Sequence, residues 1–198
     1  MISDTVMDAL REIINTSIGR AAGTLNELLA NHISLETPEI RIVRLNEPED
    51  HFYKQSQEPV SMVVLRFSGR LSGLSTILFS PDSASKLVDT LLDEKTPVDE
   101  IDAIKTATLT EVGSIMLNAV MCRIGNTLHS RLNYSIPTYL QGNLKTILLP
   151  NMPPESAALE ITTRFTIQNR QIAGAALLLF EVGSFDSFVN ALEAGISG

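Results

Sequence analysis

The chain reads DALREIIN at residues 8–15 and ATLTEVGS at residues 107–114, so the second octapeptide follows the first after 99 positions. In an α-helix, positions i, i+4 and i+7 lie on one face. Asp8, Glu12 and Asn15 occupy those positions of the first octapeptide. We therefore predict a long amino-terminal helix that carries a single polar stripe.

The second octapeptide has the same spacing but keeps fewer polar groups. It places Ala107, Glu111 and Ser114 at the three corresponding positions, and Pro137 corresponds in the same way to Pro38. Strand-like segments then follow both prolines in a similar order. Equal spacing of several separate features indicates an internal repeat. We predict an internal duplication related by a pseudo-twofold axis.

The remaining hydrophobic patterns predict an α+β fold. It consists of duplicated helix-strand-strand-strand-helix units with pseudo-twofold symmetry, in which a sheet packs against the long motif-bearing helices. In the first half the patterns predict strands near 40–45, 60–68 and 71–79, a loop over 46–59, and a helix after Pro81 capped by Asp82 or Ser83. In the second half they predict a helix over 102–132, a strand ending at 147–149, strands over 159–167 and 172–180, and a last helix holding Phe188 and Leu192.

Length and composition predict one domain. The chain has 198 residues, of which 44% are hydrophobic, and this is enough to bury a substantial core. We expect a single domain over 1–198 made of two repeats, about 1–94 and 100–198, joined by the acidic segment Glu94–Glu100. Because each half is small, we expect the two halves to contribute two sheets to a shared core.

Charge and hydropathy exclude two classes of partner. With 15 Lys and Arg against 23 Asp and Glu, the net charge of -8 opposes binding to nucleic acid. The longest apolar run, Ile172 to Phe180, is much shorter than the roughly 20 residues of a membrane-spanning helix. Acidic residues at positions 4 and 8 fall where a signal peptide would be apolar. We expect a cytoplasmic protein without membrane insertion.

The cysteine and the histidines do not predict a disulfide, a metal site or a catalytic site. Cys122 has no second cysteine to pair with and lies in an apolar helical pattern, so we expect a buried thiol. His32, His51 and His129 stand apart from one another without the spacing of metal ligands. We expect no metal site and no cofactor in this chain.

The first helix has one apolar face, which should turn the polar stripe outward. The apolar positions at helical spacing are Val6, Leu10, Ile13, Ile14, Ala21, Leu25 and Leu28. Gly19 and Gly23 continue the outward face, although each costs about 1 kcal/mol relative to alanine in a helix. Either a partner's backbone approaches closely there, or a loop of the chain itself packs against them.

Asp8, Glu12 and Asn15, completed by Pro38, resemble the signature of the CheC/CheX/FliY phosphatases of bacterial chemotaxis. The resemblance covers essentially the whole chain, because the duplicated layout, the second motif remnant and the length are all similar to those of CheC-like members.

The resemblance implies a phosphatase of two-component signalling. Its substrate would be the phospho-aspartate of a CheY-like response regulator, which holds the Mg²⁺ itself. Asn15 would enter the regulator's site and position the attacking water, and Glu12 would pair with the regulator's lysine. Asp8 would either extend this contact or cap its own helix, and Gly19 and Gly23 would belong to the partner-binding surface.

The second copy departs from the family pattern, and we predict a weak or inactive site there. Ser114 replaces the asparagine, so Glu111 alone matches the motif, and Asn118 and Cys122 replace the two glycines with bulkier side chains. The alternative is a non-catalytic adaptor that binds response regulators or a CheD-like deamidase.

Overall fold

A computed structural model of the chain describes residues 2–29, 33–46, 50–91, 101–129, 131–167 and 170–196. The α+β class is confirmed. The elements follow in the order α1 (Asp4–Leu29), β1 (Ile33–Leu35), β2 (Glu39–Arg44), α2 (Asp50–Gln55), β3 (Val60–Gly69), β4 (Gly73–Phe79), α3 (Pro81–Leu91), α4 (Ile101–Thr127), β5 (Leu132–Tyr134), β6 (Thr138–Gly142), α5 (Leu144–Ile147), a 3₁₀ turn (Leu149–Asn151), β7 (Ala157–Ile167), β8 (Arg170–Phe180) and α6 (Ser184–Ile196).

The strands of the described residues form one antiparallel sheet of eight strands. Its order is β1-β7-β8-β4-β3-β5, with β2 also paired to β7 and β6 also paired to β3. Strand β4 from the first half pairs directly with β8 from the second half. The halves therefore share one continuous sheet, and the expectation of two sheets is wrong. Apolar residues on both faces of β4 and β8 favour this central position, where a strand is covered on both sides.

The two halves have matching element orders. Strands β1 and β5 begin at Ile33 and Leu132, and strands β2 and β6 begin at Glu39 and Thr138, 99 positions apart in both cases. The strand pairing has the same pattern in both halves. Strand β3 pairs with β5, β6 and β4, and its counterpart β7 pairs with the corresponding strands β1, β2 and β8. This is the arrangement that a duplicated unit would give. The twofold axis and the repeat boundaries stay predictions. Within the described residues, each half contains four strands and an extra short helix, where the sequence patterns predict three strands.

The long helices cover one face of the sheet and the short helices cover the other. Val63, Ile77 and Phe180 point to the face on which α1, α3, α4 and α6 pack, whereas Met62 and Leu78 point to the face covered by α2 and α5. Helices α1 and α4 also pack against each other. The sheet thus gives α1 a rigid support along its apolar side.

Gly113 sets the distance between α4 and the sheet. A Cβ atom built at this glycine would lie 2.7 Å from Cγ2 of Val63 and 2.9 Å from Cγ2 of Ile77. Both neighbours are β-branched and buried, so they have little freedom to move aside. A glycine inside this helix is explained by the close packing of the helix on β3 and β4.

Two predictions in the surface connections are wrong. Part of the predicted loop over 46–59 forms α2, because Phe52 is 3% exposed and packs into the core beneath the short helices. The predicted strand ending at 147–149 is α5 followed by the 3₁₀ turn. Asn143 caps α5 by accepting a hydrogen bond from the backbone N–H of Thr146 at 3.0 Å, and this cap favours helix over strand.

Two helix boundaries also differ from the predictions. Helix α4 ends at Thr127 and not at 132, because the chain reverses through His129, whose φ of 48° is left-handed. Helix α3 begins at Pro81, and its cap is Ser80, whose hydroxyl accepts a hydrogen bond from the N–H of Ser83 at 3.2 Å. Neither Asp82 nor Ser83 is that cap.

The thiol of Cys122 is exposed, so the prediction of a buried cysteine is wrong. It lies on the outward side of α4, beside the buried Met121. The apolar pattern of this helix is broad and does not distinguish the two sides.

Some predictions fall outside the described residues. They are the joint Glu94–Glu100, the turn at Asn169 between the last two strands, and the side chains named in four further predictions. Those side chains are Leu28 on the apolar face of the first helix, Leu91 and Leu92 on the apolar face of the helix after Pro81, the isolated His32 and His51, and Phe165, which matches Phe67 in spacing.

Candidate functional site

Helix α1 presents the predicted polar stripe to solvent. Its inward side is buried and consists of Val6, Leu10, Ile13, Ile14, Ser17, Ile18, Ala21 and Leu25. The opposite side is exposed at Asp8, Glu12, Asn15, Gly19 and Gly23. With 3.6 residues per turn, these five positions fall within an arc of about 80° and extend about 22 Å along the axis. The sequence prediction of one outward face is confirmed.

Asp8 forms an ion pair on its own helix. Its carboxylate accepts a hydrogen bond from Arg11 at 2.7 Å, and both side chains are exposed. Ser3 caps α1, because its hydroxyl accepts a hydrogen bond from the N–H of Val6 at 3.4 Å. The alternative in which Asp8 caps the first turn is therefore wrong.

The side chains of Glu12 and Asn15 make no hydrogen bond or ion pair with another described residue. They lie one turn apart on a helix whose inward side is fixed by the core. Glu12 offers a carboxylate that accepts hydrogen bonds, and Asn15 offers both a donor and an acceptor. A visiting protein meets both groups without first breaking a contact within this chain.

Open space surrounds Gly19 and Gly23. A Cβ atom built at either glycine has no other heavy atom within 4 Å, apart from the neighbouring helix backbone. No described loop of the chain packs on them, so the described residues give no support to the alternative of packing against the chain itself. The surface beyond Asn15 is flat and allows another molecule to approach the helix backbone.

A groove next to Glu12 brings in residues that sequence analysis missed. It is lined on α1 by Ile13 as well as Glu12, and on the other side by Arg123, Asn126 and His129 from the end of α4. The only sequence signal was a lone arginine among the apolar residues 120–125. Its position beside Glu12 depends on the packing of α1 against α4.

The corresponding face of α4 has a different chemistry. Glu111 is exposed, but the Ser114 hydroxyl donates a hydrogen bond to the backbone oxygen of Thr110 at 2.5 Å and is turned back onto the helix. Asn118 and Cys122 are exposed side chains where α1 has glycines. This face therefore has neither a free amide at the motif position nor a flat surface beyond it.

A tyrosine also flanks this second face. The Tyr134 hydroxyl donates a hydrogen bond to the backbone oxygen of Met121 at 3.2 Å. Burial raises the pKa of Tyr134 above its ordinary value, and negative charge on Cys122 raises it further. The phenol thus stays neutral and hydrogen-bonded to α4 at physiological pH.

Comparison with known proteins finds similarity in sequence and in fold. No protein-family model matches the chain. The chain is 24% identical over 139 residues to the CheY-P phosphatase CheC of Bacillus subtilis, and the match covers 69% of this chain and 66% of that protein. It thus spans just under two thirds of the relative's length. Thermotoga maritima FliY has a TM-score of 0.71 and 17% identity, covering 98% of this chain and 99% of that chain. The chain is therefore similar in sequence to CheC and in fold to FliY, both of which belong to the family that the motif resembles.

The fold similarity extends to CheX. A chain of the CheX-CheY-BeF3-Mg+2 complex from Borrelia burgdorferi has a TM-score of 0.52 and 18% identity, covering 85% of this chain and 97% of that chain. The resemblance found in the motif agrees with these similarities. Among the described residues, none of the helices combines the length and the hydropathy of a membrane span. The same residues contain no group of three or more His, Cys, Asp or Glu side chains that could hold a metal ion.

Proposed function

We propose that this protein hydrolyses the aspartyl phosphate of a CheY-like response regulator through Glu12 and Asn15 on α1. The observation that carries the proposal is the exposure of both side chains, without partners in the described residues, on a helix held by the core. The relative in Bacillus subtilis is a CheY-P phosphatase, and a protein of the same fold occurs in a complex with CheY.

The reaction requires one well-placed water molecule. Its oxygen attacks phosphorus in line with the bond to the aspartate oxygen, that bond breaks, and the products are inorganic phosphate and the free carboxylate. The acyl phosphate and Mg²⁺ belong to the regulator, so this chain supplies positioning. The Asn15 carboxamide accepts a hydrogen bond from the water and orients its lone pair toward phosphorus, because its oxygen and its NH₂ group both have free hydrogen-bonding capacity.

Glu12 fixes how the regulator docks. Its carboxylate pairs with the lysine of the regulator's active site in a charge-assisted hydrogen bond. The rise between positions 12 and 15 is about 4.5 Å, so an anchor at Glu12 determines the depth that Asn15 reaches. Asp8 plays a secondary role, because Arg11 already holds its carboxylate. Gly19 and Gly23 accommodate the regulator's surface beyond the catalytic pair.

The decisive experiment measures the decay of a phosphorylated CheY-like receiver in the presence of wild type and Asn15→Ala. We expect Asn15→Ala to lose about 10²-fold or more in rate, as is typical when a group that stabilises or orients the transition state is removed. Glu111→Ala is the matched control on α4, and we expect it to change the rate little. Wild-type activity that persists in Asn15→Ala would refute the role of the amide.

The same assay separates the enzyme from an adaptor. An adaptor that binds receivers or a CheD-like deamidase would bind the phosphorylated receiver without changing its rate of decay. A phosphatase accelerates the decay, and Asn15→Ala then keeps binding while losing turnover.

A further inference from the structure

The groove between α1 and the end of α4 contains a cation beside the proposed catalytic face. Arg123 lines this groove opposite Glu12, together with Asn126. Arg123 is partly buried, and its Nε atom is buried without a hydrogen-bond partner. Partial burial of the stem restricts the positions that the guanidinium group can adopt.

Arg123 takes no part in the ion pairs of the described residues. Those ion pairs use Arg11, Arg41, Arg66 and Lys86. An unpaired guanidinium group in a groove of a chain with net charge -8 creates a local site for an anion. Glu12 lines the same groove but lies outside ion-pair distance of Arg123.

Stabilisation of the carboxyl terminus of α4 does not explain why an arginine lies at position 123. A cation near a helix carboxyl terminus is favourable, and it can donate hydrogen bonds to the last free carbonyl groups. Arg123 makes no such hydrogen bond in the described residues. The carbonyl of Ile124 is used by the backbone N–H of Leu128 at 3.0 Å, and that of Asn126 by His129 at 3.1 Å.

We propose that Arg123 binds a carboxylate side chain on the surface of the response regulator, next to the lysine that pairs with Glu12. This inference rests on the proposed function. The regulator would present a carboxylate next to its lysine. In the complex, Arg123 would pair with the carboxylate and Glu12 with the lysine. A guanidinium group binds a carboxylate through two parallel hydrogen bonds, which fixes orientation as well as charge. Arg123 is thus a docking residue, supplied by α4 to the site on α1.

The test uses a CheY-like receiver carrying beryllofluoride and Mg²⁺ for binding, and the phosphorylated receiver for turnover. Arg123→Gln keeps most of the stem and removes the charge, and Arg123→Lys keeps the charge and loses the fork. We expect Arg123→Gln to raise both Kd and KM about tenfold with kcat within twofold of wild type, which is the size expected for one lost charged hydrogen bond. Arg123→Lys should recover part of the affinity, and the loss should shrink as salt is raised.

Arg70→Gln is the matched control, because Arg70 is an exposed arginine in the turn between β3 and β4. It should leave Kd and KM unchanged, and thermal unfolding of every variant checks that the fold is intact. Unchanged Kd and KM in a folded Arg123→Gln variant would overturn the inference, as would a loss confined to kcat.

The binding measurement separates this inference from the proposed function. A wild-type protein that binds the receiver without accelerating its decay refutes the phosphatase, while the Kd of Arg123→Gln still tests the arginine. If the wild type accelerates decay and Arg123→Gln matches it in both Kd and KM, the arginine inference alone fails. Absence of any receiver binding by the wild type would overturn both.

Discussion

Replacing Gly19 and Gly23 by alanine should raise the stability of the protein and weaken its binding to the receiver. Both glycines lie inside α1, where alanine is the better helix former. An added Cβ at either position meets no atom of the described chain beyond its own helix. The folded state therefore gains helix propensity without any steric cost.

The size of the gain follows from helix propensity. Each substitution should add about 0.5–1 kcal/mol to the free energy of unfolding, and the double variant about 1–2 kcal/mol. For a chain of this length, 1 kcal/mol moves the midpoint of thermal unfolding by about 2–4 °C, so the double variant should melt about 2–8 °C higher. Gly113→Ala should have the opposite sign, because its Cβ would lie 2.7 Å from Val63.

Binding should respond in the other direction. If the receiver backbone packs on the flat surface beyond Asn15, an inserted methyl group at Gly19 or Gly23 costs about 1–3 kcal/mol, or roughly five- to 150-fold in Kd. Urea unfolding measures the stability, and titration with the beryllofluoride-loaded receiver measures the affinity. Because the variants are expected to be more stable than wild type, a loss of affinity could not be attributed to unfolding.

Two results would refute this reasoning. A fall in stability for Gly19→Ala or Gly23→Ala would mean that the space above α1 is filled in solution. Increased stability with unchanged receiver affinity and decay rate would mean that the glycines take no part in docking.

Two further predictions concern the second copy and the short helices. Asn15→Ser should be as inactive as Asn15→Ala in the phosphorylated-receiver assay. A serine at this position should donate its hydroxyl hydrogen bond to the backbone oxygen of Arg11, as Ser114 does to that of Thr110. Activity near that of the wild type would contradict this prediction. Phe52→Ala should lower the free energy of unfolding, measured in urea, by about 3–5 kcal/mol because it leaves a cavity in the core. Val182→Ala is the control at a residue that is 58% exposed, and it should have almost no effect. Equal effects of the two substitutions would show that the packing of α2 on the core does not stabilise the protein.

The sequence predicts the parts of this fold that have long, regular patterns. The inward and outward sides of α1 follow from helical spacing over seven turns, and the strands β3, β4, β7 and β8 follow from apolar runs bounded by turn residues. The short helices α2 and α5 span too few residues for a period to be recognised, and their formation depends on Phe52 and Leu144 reaching a core that the rest of the chain creates.

The residues of the candidate site also differ in whether the sequence predicts their positions. Glu12 and Asn15 lie on one helix, so their proximity is a local property that spacing predicts. Arg123 lies 111 positions after Glu12 and reaches the same groove only because two helices pack together on a common sheet. Long-range packing of this kind leaves no periodic mark in the sequence, and the exposure of Cys122 depends on it as well.

The two sides of α4 are under unequal physical constraint. Its inward residues belong to one core cluster with buried residues from both halves of the chain, so their replacement would lower the stability of both halves at once. Its outward positions tolerate change at little thermodynamic cost. A second motif without a catalytic pair is therefore compatible with lasting retention of the helix, and a shortened protein lacking the second half would lose strand β8, which pairs with β4.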